Sequence, residues 1–194
     1  AALMTETEVE VKVYSGVSNL VGNRPLEEMM QREFDKLGPV PFDADDSDFA
    51  NEMRQTLTKD DIAASFQRVG RETPADLPLC DFVAPLDRTS SGGEGSTDVG
   101  DVSWVVPTVQ ARVATCAVGT PFHTWQTVAQ GKAPAAHKGM IHAAKVMAAT
   151  ASALIQSPET IEAARTVHND RQVKTPYQCP IPREVSPPII TKPE

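Results

Sequence analysis

The sequence predicts an α/β fold, on three observations. "TEVEVKVYS" alternates, with Val9, Val11 and Val13 on one side and Glu8, Glu10 and Lys12 on the other, the two-residue period of a half-buried strand. "TVQARVATCAVG" repeats the alternation through Val109, Ala111, Val113 and Thr115. "AAHKGMIHAAKVMAATASALIQ" then carries His137, Met140, Ile141, Ala144, Met147, Ala148, Ala151, Leu154 and Ile155 at helical spacing. Strands interleaved with helices imply a sheet layered against helices.

The elements follow in order. "AALM" reads as the tail of a helical element. The strand at 7–15 comes next, with its apolar face and its backbone edges open to pairing. In "RPLEEMMQREFDKLG", Pro25 suits a first helical turn, Glu27 and Glu28 complement the helix dipole, and Gly38 is a stop. Leu26, Met29, Met30, Glu33 and Leu37 share one face of that helix. A proline turn and an acidic loop lead to a further helix from about Ser47. Residues 58–80 read as irregular, and "CDFVAPL" as a short buried strand. Ser157 and Pro158 open a last helix, "SPETIEAARTVHND". The tail "TPYQCPIPREVSPPIITKP" has too many prolines for regular structure and is expected to lie extended over the surface.

Charge and cysteines restrict the function class. The net charge of −8 resides in residues 1–61, and residues 62–194 are neutral. No basic stripe exists for nucleic acid, and "DADDSD" repels phosphate. No run of 18 apolar residues is present to span a membrane. Cys80, Cys116 and Cys179 are widely spaced and odd in number, which reads as reduced thiols in a cytoplasmic setting.

Two loops carry candidate chemistry. "GTPFHTWQTVAQG" holds His123 between a proline turn and a tryptophan, where an imidazole can be a rigid metal ligand or a structural surface histidine. "GGEGSTDVGDVSW" is rich in glycine and carboxylates. There Ser96 or Thr97 caps a short helix with Asp98 and Asp101 in its first turn, or the same hydroxyls and amides hold a substrate carboxylate. His137 and His142 lie off each other's helix face and make no ligand pair; His137 falls on the apolar stripe as a core or interface histidine.

Together the stretches "GSTDVGDVSWVVPT" and "GTPFHTWQTVAQGKAPAAHKGMIHAAKVMA" closely resemble the C-terminal part of p-aminobenzoyl-glutamate hydrolases, amidohydrolases related to aminoacylases, hippurate hydrolases and glutamate carboxypeptidases. "TETEVEVKV" and "YQCPIP" extend the resemblance to nearly the whole chain. It implies a dizinc-peptidase-type catalytic α/β domain at 25–194, and the last strand of an α/β lid, or dimerisation, domain at 1–24. It implies two divalent metal ions, zinc or manganese, with His123 as one ligand. It also implies a small-molecule amide substrate met by Ser96, Thr97, Asp98 and Asn23. The family's His-x-x-Gly-His motif and its general-base acid have no counterpart here. The catalytic residues are therefore expected in an N-terminal half outside these residues. The expected partners are a second copy, as a homodimer, or that complementing half; a non-catalytic interaction module is the alternative. The chain alone is expected to be inactive.

Overall fold

The computed structural model describes residues 2–66, 76–86 and 97–186. Eight helices are present among them: α1 (Ala2–Thr5), α2 (Arg24–Leu37), α3 (Ala44–Arg54), α4 (Lys59–Ala64), α5 (Val99–Val105), α6 (Trp125–Gln130), α7 (Pro134–Ile155) and α8 (Pro158–Lys174). No strand occurs among the described residues, so the expected α/β fold class is corrected to an all-helical one. The segments expected as strands, 7–15, 80–86 and 109–115, run without helix and without a ladder partner. A strand exists only through a ladder of main-chain bonds to a neighbour, and the described residues form no such ladder at any of the three. The Val9 and Val11 side chains are accordingly 72% and 81% exposed.

α2 obeys its sequence pattern. Pro25 sits in its first turn, the Gly38 N–H closes on the Phe34 carbonyl, and Leu26, Met29, Met30 and Glu33 are buried while Leu37 stays at the edge. Gly38 has φ +72°, a left-handed conformation that glycine adopts without cost. The buried face of α2 packs on α7 and α8, which also pack on each other. Each buried apolar side chain of this kind contributes about 1.5–3 kcal/mol relative to exposure.

α3 begins at Ala44 rather than Ser47, because Asp43 and Asp46 form a reciprocal capping box. Residues 58–80, expected to be irregular, contain α4, opened by the same device between Thr58 and Asp61. The α3 side of the molecule has its own small core of Ala50, Met53, Leu79, Ala117 and Ala135, with Phe42 and Phe49 packed against it. Lys138 of α7 reaches both capping carboxylates, Asp43 and Asp46, tying α7 to the start of α3.

α7 turns the opposite way to the expected one. It buries Ala135, Gly139, His142, Val146 and Thr150. Met140, Ile141 and Met147 face outward, and His137, expected in a core or interface, is exposed. The reason is close approach. A Cβ on Gly139 would stand 2.2 Å from the Ala114 carbonyl oxygen, so the extended segment passes α7 where only a glycine admits it. The smaller side chains line this contact, and the larger methionines do not fit it.

Candidate functional site

The His123 loop is held from within. The buried Gln130 amide accepts from the Ala117 N–H at 2.7 Å and donates to the Thr120 hydroxyl at 3.0 Å. The Thr124 and Thr127 hydroxyls both donate to the Pro121 carbonyl at 2.7 Å. Gly119, at φ +99°, lies so close to Ile62 that a Cβ would stand 2.8 Å from its side chain. This scaffold leaves His123 exposed at φ +64°. A left-handed conformation costs a residue with a Cβ roughly 1–2 kcal/mol. Strain of this kind in a pinned loop is a common mark of a functional position. Phe122 and Trp125 beside it are also exposed.

The "STDVGDVSW" stretch makes α5. Ser96 lies outside the described residues. Thr97 accepts from the Val99 N–H through its hydroxyl at 3.3 Å, and Asp98 occupies the N-cap position without a side-chain capping bond. The rest of α5 is a clamp that sequence reasoning passed over. The Ser18 N–H donates to Asp101 Oδ2 at 3.1 Å, the Val21 N–H to Ser103 Oγ at 2.9 Å, and Trp104 Nε1 to the Asn19 carbonyl at 3.0 Å. From the other side, the Tyr177 hydroxyl donates to Asp101 Oδ1 at 2.7 Å, and its ring stacks on Trp104. His168 Nε2 lies 3.2 Å from the Trp104 carbonyl. A Cβ on Gly100 would meet the Ser18 carbonyl oxygen at 1.9 Å. The glycine and acid that suggested a ligand loop thus hold residues 18–21 and the tail against the helical body.

Asn23 is the N-cap of α2 and is 1% exposed. Its Nδ2 donates to the Ala164 carbonyl of α8 at 2.9 Å, while its Oδ1 is buried without a partner. α5 and the 18–23 segment are brought together, but no hydrogen bond joins His123 to Thr97, Asp98 or Asn23 among the described residues.

Electrostatics follow the hydrogen bonds. Tyr177, and then the Ser18 N–H, hold the Asp101 carboxyl below the usual carboxylate range, and Asp101 raises the Tyr177 phenol in return. Lys138 lowers Asp43, and the two carboxylates raise Lys138. Burial pushes the Cys116 thiol up, the opposite of what an activated nucleophile needs. Cys80, Cys116 and Cys179 are all free.

Among the described residues no three His, Cys, Asp or Glu side chains converge to hold a metal ion. A catalytic zinc site takes about three protein ligands. The residues described here do not fit a complete metal centre by themselves. Among the described residues no helix is long and apolar enough to cross a membrane.

No family model and no solved structure matches the chain. Over 197 aligned residues, 96% of the chain, it is 39% identical to a p-aminobenzoyl-glutamate hydrolase subunit of Escherichia coli (strain K12). The match is to a C-terminal portion of that protein, and the chain spans 41% of its length.

Proposed function

We propose that the chain is the C-terminal part of a metal-dependent amidohydrolase acting on N-acyl or aminobenzoyl amino acids, with p-aminobenzoyl-glutamate as the type substrate. The similarity to a known hydrolase over 96% of the chain carries this reading. Residues 1–24 then belong to the end of a lid or dimerisation domain, and 25–194 to the catalytic domain. His123 is the one metal ligand contributed from here, supported by its exposure and its strained, pinned backbone. Ser96, Thr97, Asp98 and Asn23 are candidate substrate contacts. Zinc or manganese, held with ligands from an N-terminal half, would supply an activated water; no hydrolytic step is assigned to these residues alone.

The test is p-aminobenzoyl-glutamate hydrolysis with added Zn²⁺ or Mn²⁺, by the chain alone and by the chain co-expressed with the unmatched N-terminal portion of the Escherichia coli relative. Activity is expected only from the pair, and His123→Ala should abolish it. Activity of the chain alone would place a full ligand set within it. A stable pair that hydrolyses no amide would favour the non-catalytic interaction module.

A further inference from the structure

The chain has six phenylalanines and two tryptophans. Most of these rings are engaged. Phe42 and Phe49 pack on the small core, Phe66 lies against Phe82, and Phe34 is tilted against His142. Trp104 stacks on Tyr177 and gives its indole N–H to the Asn19 carbonyl. The remaining two are Phe122 and Trp125, which are 64% and 60% exposed. Neither ring meets another ring, and the Trp125 indole N–H has no acceptor among the described residues. They bracket His123 in the chain. Consecutive Cα atoms are about 3.8 Å apart, so both are anchored within about 8 Å of the His123 Cα.

Single exposed apolar side chains are ordinary on a protein surface. Two uncovered aromatic rings around a strained histidine are a different case, because the backbone that carries them is fixed. The Pro121 carbonyl takes the Thr124 and Thr127 hydroxyls, and Gln130 ties Ala117 to Thr120. Rings on a fixed backbone lose little freedom when a flat ligand covers them.

We infer that Phe122 and Trp125 are specificity-determining residues that receive the aryl ring of an arylamide substrate. The inference rests on the amidohydrolase reading, with His123 at the reacting amide. In an aminobenzoyl amide the carbonyl carbon is bonded directly to the benzene ring. A carbonyl held at His123 therefore carries its ring onto the residues beside His123 in the chain, and these are the two unengaged rings. Contact between aromatic rings adds to plain apolar burial, so the two favour an aryl group over an aliphatic ring of equal size.

The experiment uses the 194-residue chain co-expressed with the unmatched N-terminal portion of the Escherichia coli relative. Calorimetric titration gives Kd for N-benzyl-glutamate and for N-cyclohexylmethyl-glutamate. These differ only in the ring, and neither holds an amide to hydrolyse, so binding is read whether or not the pair is active. The parent pair should favour the benzyl ligand by about 2- to 10-fold. Trp125→Leu and Phe122→Leu should each reduce that preference, the double variant should abolish it, and Trp125→Phe should keep most of it. Both positions are exposed, so the melting of the isolated chain should not change. A parent pair that does not form, binds neither ligand or shows no preference would overturn the inference. So would a preference that survives the double variant, an equal loss for both ligands, or a lower melting temperature of the isolated variant chain. Loss of pairing in the double variant would also overturn it, since the rings would then pack against the N-terminal half. An aryl preference carried by the two rings in a pair that hydrolyses no p-aminobenzoyl-glutamate refutes only the enzymatic reading. Hydrolysis without that preference refutes only the assignment of the rings.

Discussion

The two oxygens of Asp101 hold two distant parts of the chain at once: Oδ2 takes the Ser18 N–H at 3.1 Å and Oδ1 takes the Tyr177 hydroxyl at 2.7 Å. The exposed valine arm and the C-terminal tail therefore meet on one carboxylate. The Asp101 carboxyl is lowered, so its contribution is present above the unfolded value of about 3.9 and is lost as pH falls through the folded one. The Tyr177 phenol is raised, so its contribution is full below about 10 and fades as pH rises beyond that. Tyr177→Phe keeps the stack on Trp104 and removes the bond. It should lower the melting temperature and flatten the alkaline limb of the stability profile. An unchanged profile would mean that the tail is held by other contacts.

Gly100→Ala tests how tightly the 18–21 segment is seated. The new Cβ would stand 1.9 Å from the Ser18 carbonyl oxygen, which is main chain and cannot rotate aside. Overpacking of this kind costs about 1–3 kcal/mol. Chemical denaturation should show that loss, with limited proteolysis at residues 7–17 accelerated. Resistance equal to the parent chain would contradict the clamp.

Lys138 should set both ends of the pH range for the α3–α7 junction. The Asp43 carboxyl is lowered by Lys138, and its share of stability is present above about 3.9 and lost as pH falls through the folded value. Lys138 is raised by Asp43 and Asp46, so its share is full below about 10.4 and lost as pH rises through the folded value. Lys138→Met should reduce the melting temperature near neutrality and weaken the dependence on both limbs. A parallel shift of the whole curve would show that packing rather than charge is at stake.

Asn23→Ala removes a buried bond to the Ala164 carbonyl, for an expected loss of about 1–3 kcal/mol by denaturant titration. In the reconstituted enzyme, a substrate contact would also raise KM or lower kcat at temperatures well below melting. Stability loss with unchanged kinetics would remove Asn23 from the candidate site and leave it as the link between α2 and α8.

His123→Gly separates stability from function. Glycine tolerates φ +64° without steric cost but loses more chain entropy on folding. The isolated chain should therefore keep its stability within about 1 kcal/mol. Activity of the reconstituted enzyme should vanish if the imidazole ligates metal. Retained turnover would return His123 to the role of a surface histidine.

What the sequence determined by itself is local. α2 follows its stripe of Leu26, Met29, Met30 and Glu33, and the long helix and the Pro158 start of α8 come from spacing and capping within a few residues. α4 was legible too, since Thr58 and Asp61 have capping-box spacing, but the prolines after it masked the signal. The resemblance of the two loops to an amidohydrolase likewise needs only the order of residues, and the similarity to a known hydrolase bears it out. Tertiary structure decided the rest. Alternation at 7–15 and 109–115 marks segments able to pair, yet pairing is a contact with a second length of chain, and the described residues place none beside them. Hydropathy put Met140, Ile141 and Met147 of α7 inside, but the approach of Ala114 to Gly139 turned the small face inward and carried His142 with it. The pinned, left-handed backbone of His123 depends on Gln130 and two threonines bonding back across the loop. Each of these outcomes is set by distances between residues remote in sequence, which a pattern of neighbours does not contain.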